Sequence, residues 1–137
     1  DSIKLAVTDA MVKETDGTIS FGDYTLDSKA KKSDFSHNGD VYKIKTFKEI
    51  TKLEKNDAFV YESVPGTAVS HLAISEDRVS FSVEGLSDAE VTLELEPGTE
   101  YKVSIDGRES QMKTNLGGKI TLAIKLDGSP VEVEITK

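Results

Sequence analysis

The 137-residue chain contains neither cysteine nor tryptophan. Without cysteine the protein folds without disulfides, which is compatible with an exported module and with many cytosolic proteins. Tryptophan offers the best flat surface for stacking on a sugar ring. Its absence therefore argues against a strong binder of crystalline cellulose, whereas weaker binding of a soluble or branched glycan stays open.

Histidine is scarce, since only His37 and His71 are present. A metal site of three histidines is excluded, and a Ser-His-Asp site would need one of these two. The chain has no Gly-x-Ser-x-Gly motif, no phosphate-binding glycine loop and no dinucleotide fingerprint. We interpret His71 as a packed or half-exposed structural residue and His37 as an exposed loop residue. The sequence thus predicts that the protein is not an enzyme, with a small hydrolase as the least favoured alternative.

Positive charge is lacking in the second part of the chain. Residues 1–55 hold ten Lys and ten Asp plus Glu, whereas residues 56–137 hold seven Lys plus Arg against fifteen Asp plus Glu, which accounts for the net charge of −8. An acidic protein repels phosphate backbones, so we expect no nucleic-acid partner. The cluster of Lys29, Lys31 and Lys32 is interpreted as a solvated loop, with contact to an anionic polymer as the alternative.

Long apolar runs are also missing. None approaches the length of a membrane span, so no membrane-spanning segment is predicted. The first ten residues, DSIKLAVTDA, are charged from the start and do not read as a signal peptide. We interpret this start as a mature end or as the edge of an excised segment.

Apolar residues instead recur at every second position, which is the pattern of half-buried strands. Turn pairs such as Asn38-Gly39 and Asp106-Gly107 separate these runs and favour hairpins. Only 47–57 (FKEITKLEKND) has apolar residues three apart, and helix and strand are both open there. The fold class predicted is an all-β antiparallel sandwich, either immunoglobulin/fibronectin-III-like or jelly-roll-like. The alternating runs are Ile3/Leu5/Val7, Val79/Phe81/Val83, Val91/Leu93/Leu95, Ile120/Leu122/Ile124/Leu126 and Val131/Val133/Ile135.

We expect a single domain, 1–137, because 55 residues alone would bury only a marginal core. The character of the sequence changes near residue 55, from a polar loop and less regular strands to closely spaced hairpins. The alternative is a small N-terminal lobe, 1–55, packed on an immunoglobulin-like core, 56–137.

The segment 95–105 (LEPGTEYKVSI) places a tyrosine three residues after a Pro-Gly turn. In Greek-key sandwiches such a tyrosine often begins a late strand, and its hydroxyl bonds to backbone a few residues upstream. Tyr101 would enter the strand here, while Val103 and Ile105 continue its buried face. The segment resembles the corner of fibronectin type III and related bacterial immunoglobulin-like domains, and the resemblance implies a structural role for Tyr101.

A wider resemblance covers 95–137 and, more loosely, 58–94. A Tyr-x-Val strand, an Asp-Gly hairpin, Lys-Thr-Asn before Gly-Gly, an alternating strand and a final Val-x-Val strand resemble the closing segment of β-sandwich modules in secreted Gram-positive glycoside hydrolases and polysaccharide lyases. The resemblance implies a non-catalytic, extracellular or cell-surface module that binds or positions polysaccharide beside neighbouring domains of a larger chain. The competing hypothesis is a structural immunoglobulin-like spacer or adhesin-type domain without glycan affinity.

Carbohydrate binding needs flat aromatic faces with polar groups nearby, and without tryptophan the tyrosines and phenylalanines remain. In 58–64 (AFVYESV), inward-pointing Ala58, Val60 and Val64 would leave a tyrosine on the surface. Core or cross-strand packing of these rings is the simpler alternative. The candidate ligand-binding residues are Tyr61, Tyr42, Tyr24 and Phe35.

No cofactor is predicted. The chain lacks an EF-hand-type loop, although Glu76, Asp77 and Asp106, with backbone carbonyls, are weak candidates for a structural calcium ion. Two pairs of strand glutamates are interpreted as solvent-facing: Glu94/Glu96 and Glu132/Glu134.

Overall fold

The computed structural model describes residues 12–15, 18–22, 24–37, 39–75 and 77–137. These residues form strands and turns without a helix, and the strands build two antiparallel sheets packed face to face. The predicted all-β antiparallel sandwich is therefore confirmed. Several predicted features lie outside the described part, namely the run Ile3/Leu5/Val7, the turn residue Asn38, the candidate Glu76 and the side chains of Phe35 and His37. The strands are β1 Val12–Thr15, β2 Thr18–Phe21, β3 Ala30–His37, β4 Asp40–Phe47, β5 Ile50–Lys55, β6 Ala58–Val64, β7 Ala68–Ile74, β8 Arg78–Glu84, β9 Ala89–Glu94, β10 Glu100–Ile105, β11 Arg108–Lys113, β12 Lys119–Ile124 and β13 Val131–Thr136.

The two sheets draw strands from both ends of the chain. The first sheet has seven strands in the order β1-β2-β7-β8-β13-β10-β11, and the second has six in the order β12-β9-β6-β5-β4-β3. The described strands of the first 55 residues extend these same sheets, because β2 pairs with β7 and β5 pairs with β6. The segment for which helix and strand were both open contains strand β5.

The alternation of apolar and polar residues in the sequence determines which face of each strand is buried. In β13, Val131, Val133 and Ile135 are buried, whereas the intervening glutamates point away from the core. Strands β8, β9 and β12 follow the same rule. Adjacent residues of a strand point to opposite faces, so each sheet has one apolar face. The apolar faces of the two sheets pack together in one continuous core.

The chain passes from the second sheet to the first between β6 and β7, and a group of buried hydroxyls holds this crossing. The Oγ1 atom of Thr67 lies 2.8 Å from the Tyr61 hydroxyl and 2.7 Å from Ser63 Oγ. The Oγ1 atom of Thr51 donates to the Thr67 carbonyl (2.8 Å) and accepts from the Thr67 amide (3.1 Å). Thr46 Oγ1 lies 2.8 Å from Thr51 Oγ1. We call these five fully buried residues the crossing cluster.

Two glycines allow the backbone to approach closely at this crossing. A Cβ atom on Gly66 would lie 2.0 Å from the Phe47 carbonyl oxygen, and the Gly66 amide donates to the Lys48 carbonyl at 3.0 Å. On the other side, a Cβ atom on Gly22 would lie 2.4 Å from the Thr67 carbonyl oxygen. Neither position has room for a side chain, so both glycines are required for the backbone segments to approach this closely.

The predicted tyrosine corner is confirmed. Tyr101 is buried, and its hydroxyl accepts a hydrogen bond from the Glu96 amide at 3.2 Å. Thr114 completes the corner, because its Oγ1 donates to the Glu96 carbonyl (2.5 Å) and accepts from the Thr99 amide (2.9 Å). Gly98 has φ +59°, in the left-handed region that glycine adopts most easily.

The asparagine that follows Thr114 holds the next turn. The Asn115 Oδ1 atom accepts hydrogen bonds from the amides of Gly117 and Lys119, each at 2.9 Å. Its carbonyl accepts from the Gly98 amide at 3.1 Å. The Lys-Thr-Asn motif therefore joins the corner to the turn before β12, and its role is structural.

Replacing Gly66 tests the close approach at the crossing. We expect Gly66→Ala to lower the free energy of unfolding by about 3 kcal/mol or more, because the methyl group would overlap a backbone carbonyl. Gly117→Ala is the matched control, since its Cβ would meet Asn115 Oδ1 at 3.4 Å; we expect a change within about 0.5 kcal/mol. Urea unfolding of both variants measures the difference, and equal stabilities would contradict the assigned geometry.

Replacing Tyr101 tests the corner. Tyr101→Phe removes one hydrogen bond without removing volume, so we expect a loss of about 1 kcal/mol. The melting temperature should fall by about 3 °C while the circular dichroism spectrum is retained. A wild-type melting temperature would show that the bond between the Glu96 amide and the Tyr101 hydroxyl contributes nothing.

Candidate functional site

The tyrosines predicted to bind a ligand lie in the core. Tyr61 is 0 % exposed, Tyr42 5 % and Tyr24 7 %. The prediction of a solvent-facing tyrosine platform is therefore wrong for these three residues. The fourth candidate, Phe35, lies opposite Tyr42 in the pairing of β3 with β4, and its side chain lies outside the described part.

The prediction for Tyr61 was wrong about which face of β6 is buried. Tyr61 and Ser63 point into the core, whereas Val64 is 52 % exposed. A bulge in the pairing of β5 with β6 shifts the alternation, so that Val60 also packs against the core. A strictly alternating strand would have placed Tyr61 and Val60 on opposite faces, which is why the pattern alone misplaced the tyrosine.

Tyr61 joins the two sheets instead of facing a ligand. Its ring makes edge-to-face contacts with Phe21 and Phe81 of the first sheet, at centroid distances of 5.2 Å and 5.9 Å. Burial raises the pKa of the Tyr61 hydroxyl far above its ordinary value. The hydroxyl therefore stays protonated and takes part in the crossing cluster at any physiological pH.

The carboxylates predicted to bind calcium do not come together. The Asp106 Oδ1 atom accepts from the Glu132 amide at 3.3 Å, whereas the Asp77 carbonyl accepts from the Lys137 amide at 3.0 Å. The two partners, Glu132 and Lys137, are five residues apart in the extended chain that contains β13. Asp77 and Asp106 are therefore separated by about 15 Å. The proposed grouping is therefore wrong, and Glu76 lies outside the described residues. Among the described residues, no three His, Asp or Glu side chains are arranged to hold a metal ion.

His71 is exposed and makes structural contacts, in agreement with the half-exposed structural residue that the sequence predicts. A bulge in β7 gives it a left-handed backbone (φ +55°), with Val69 buried and Ala73 exposed on either side. Its Nδ1 atom lies 3.3 Å from Thr18 Oγ1, and its amide donates to Ser20 Oγ at 3.2 Å. These contacts join β7 to the neighbouring strand β2.

The outer face of the seven-stranded sheet carries an open groove of about 580 Å³. Short serine side chains on β7, β8 and β10 leave space around the longer glutamates of β13, and this difference in side-chain length forms the groove. We call it the serine groove, and the lining residues that matter here are Ser70, Ser80, Ser82, Ser104, Glu132 and Glu134.

Strand register places these side chains in two rows that cross the sheet. In one row Ser70 lies opposite Ser82, which lies opposite Glu132. In the other, Glu134 lies between Ser80 and Ser104. Neighbouring strands are about 4.8 Å apart, so the four strands β7, β8, β13 and β10 span about 14 Å. The groove is therefore long enough to hold an extended ligand across the sheet.

Charge in the serine groove is mainly negative. Its lining includes three glutamates, Glu84, Glu132 and Glu134, against one arginine, Arg78. The Arg78 guanidinium forms an ion pair with the Glu134 carboxylate, and both side chains remain about half exposed. Carboxylates accept hydrogen bonds, whereas serine hydroxyls both donate and accept. This combination suits a ligand rich in hydroxyl groups.

Sequence reasoning recognised part of this surface. The prediction that Glu132 and Glu134 point to solvent is confirmed. In β8, Ser80 and Ser82 alternate with buried residues, a signal of small outward side chains that the prediction did not use. The groove itself was missed, because the pairing of β8 with β13, about 50 residues later, is not visible in either segment alone.

Comparisons with protein families, curated proteins and solved structures found no match to this chain. Within the described residues, no helix has the length and apolar character needed to cross a membrane.

Proposed function

We propose that this protein is a non-catalytic module that binds polysaccharide in the serine groove, as part of an extracellular or cell-surface glycan-active enzyme with further domains. The observation that supports this best is the arrangement of four serines around Glu132 and Glu134 on one open sheet face. The likeness of 95–137 to accessory modules of secreted glycan-active enzymes supports the same assignment.

The chemistry of the groove favours a neutral glycan. Adjacent hydroxyls of a sugar ring can donate to the oxygens of one carboxylate, and charge-assisted hydrogen bonds are stronger than neutral ones. Serine hydroxyls and the Arg78 guanidinium supply donors for ring and glycosidic oxygens. An acidic glycan would be repelled, because the lining holds three carboxylates against one guanidinium.

The proposed binding is weak. The described groove lining exposes no tyrosine or phenylalanine ring, since Phe81 belongs to the buried core, and the small imidazole of His71 is the one exposed ring among these lining residues. Hydrogen bonds to a solvated ligand add only about 0.5–1.5 kcal/mol each, and we expect dissociation constants of about 1 mM. Such affinity suits a module that keeps a catalytic domain near an extended polymer.

Catalysis is not part of the proposal. General acid catalysis by a carboxyl group needs a site that excludes water and raises its pKa. The Glu132 and Glu134 side chains instead lie in an open groove, with Glu134 paired to Arg78. The groove is suited to holding a chain and not to cleaving it.

Affinity electrophoresis through neutral plant, algal and host polysaccharides tests the proposal. We expect retardation in at least one polysaccharide, and roughly tenfold weaker binding in the double variant Glu132→Gln/Glu134→Gln, because charge-assisted acceptors are lost. Glu90→Gln/Glu94→Gln, on the second sheet, is the matched control with the same change in charge. It should bind like the wild type.

Two outcomes would contradict the proposal. If the wild type is retarded by none of the polysaccharides, the module is a structural spacer. If it binds and both double variants bind equally well, the glycan site is not the serine groove. Unchanged melting temperatures of both variants would show that the fold is intact in each case.

A further inference from the structure

Three lysines lie side by side on the outer face of the six-stranded sheet. Lys31 in β3 is directly opposite Lys45 in β4, which is directly opposite Lys52 in β5. We call these three residues the lysine row. Together with Lys43 and Ser33, they line a groove of about 230 Å³. All three lysines lie within strands, including Lys31, which was assigned from the sequence to a solvated loop and which is the second residue of β3.

The lysine row is unfavourable in the free protein. Like charges directly opposite each other in an antiparallel sheet repel, because their Cβ atoms are only about 5 Å apart. Lys52 has partial compensation from Glu54 at 3.9 Å, and Lys43, beside the row, pairs with Asp57 at 2.6 Å. Among the described side chains, no carboxylate lies within 4.0 Å of the Lys31 or Lys45 ammonium.

The row is also a local exception in an acidic protein. The net charge of the chain is −8, but residues 1–55 hold ten Lys and ten Asp plus Glu, and strand register gathers three of these lysines on one sheet face. Repulsion of this kind is relieved when a ligand brings negative charge to the same place. The row therefore fits an anionic partner better than a neutral one.

The remainder of the same row favours a glycan as the anionic partner. Register continues from Lys52 to Glu62, then to Thr92 and Thr121, whose hydroxyls lie 3.1 Å apart. Glu62 and the acidic remainder of the chain oppose any polyanion, and most strongly a nucleic acid, which carries one charge per about 1.7 Å. A polymer with more widely spaced acidic groups and hydroxyl-bearing units between them fits a row of three lysines followed by one glutamate and two threonines.

We propose that the lysine row binds an acidic polysaccharide through its carboxylate or sulfate groups, which lie across β3, β4 and β5. Neighbouring strands are about 4.8 Å apart, so the three ammonium groups sample about 10 Å of an extended chain. This site is on the opposite face of the sandwich from the serine groove and does not depend on the function proposed for that groove.

Binding of the whole chain to two acidic polysaccharides tests the inference. Polygalacturonate presents carboxylates and dextran sulfate presents sulfates, so the two probes distinguish the acidic group that is preferred. We expect retardation by at least one of them, and weaker retardation as sodium chloride rises from about 50 to about 200 mM. Neutral dextran should not reproduce the effect.

The triple variant Lys31→Gln/Lys45→Gln/Lys52→Gln should bind roughly tenfold more weakly than the wild type. Its melting temperature at low salt should equal or exceed that of the wild type, because repulsion within the row is removed. Lys102→Gln/Lys113→Gln/Lys125→Gln changes the net charge by the same amount at other exposed positions and should bind normally.

Equal loss in both triple variants would overturn the inference, because it would assign the binding to net charge alone. No binding of either acidic polymer by the wild type would also overturn it. Tighter binding of single-stranded RNA than of both polysaccharides would show that the partner class is wrong. Serine-groove variants should leave acidic binding unchanged, and a loss there would place the acidic ligand on the other face.

Discussion

The buried hydroxyl of Thr67 is the contact on which the arrangement of the two sheets depends. It lies where the chain leaves the second sheet for the first, and it is bonded to Tyr61 and Ser63. A hydroxyl buried without a partner costs about 1–3 kcal/mol, so the cluster specifies one relative position of the sheets. The edge-to-face contacts of the Tyr61 ring with Phe21 and Phe81 are apolar contacts that favour the same relative position of the two sheets.

Because aromatic side chains pack the core, the proposed glycan binding depends on other side chains. Tyr24, Tyr42, Tyr61 and Tyr101 are all buried, so the chain holds its tyrosines in packing and corner contacts. The two outer sheet faces differ in chemistry: serines and glutamates on the first, and lysines on the second. Under the two proposals, a neutral hydroxyl-rich chain and an acidic chain bind to opposite faces of the sandwich, mainly through hydrogen bonds and charge.

Local features were predictable from the sequence, and features that depend on distant strands were not. The Tyr101 corner was correctly predicted because the turn, the tyrosine and the backbone group it bonds all lie within six residues. Tyr61 was misplaced because a bulge opposite β5 decides which face of β6 is dry. The serine groove exists only once the pairing of β8 with the distant strand β13 is known. The lysine row joins the consecutive strands β3, β4 and β5, and it was missed because Lys31 was assigned to a loop.

A double-mutant cycle on Tyr61→Phe and Thr67→Val tests most directly whether the crossing cluster holds the sheets together. Both changes remove a hydroxyl while nearly conserving volume, so their coupling reports the bond between them. The account predicts a coupling energy of about 1 kcal/mol or more by urea unfolding, whereas Tyr61→Phe combined with Thr114→Val, at the separate corner, should be additive within about 0.5 kcal/mol. Additive behaviour of the Tyr61 and Thr67 pair would contradict the account, because the two hydroxyls would then contribute independently.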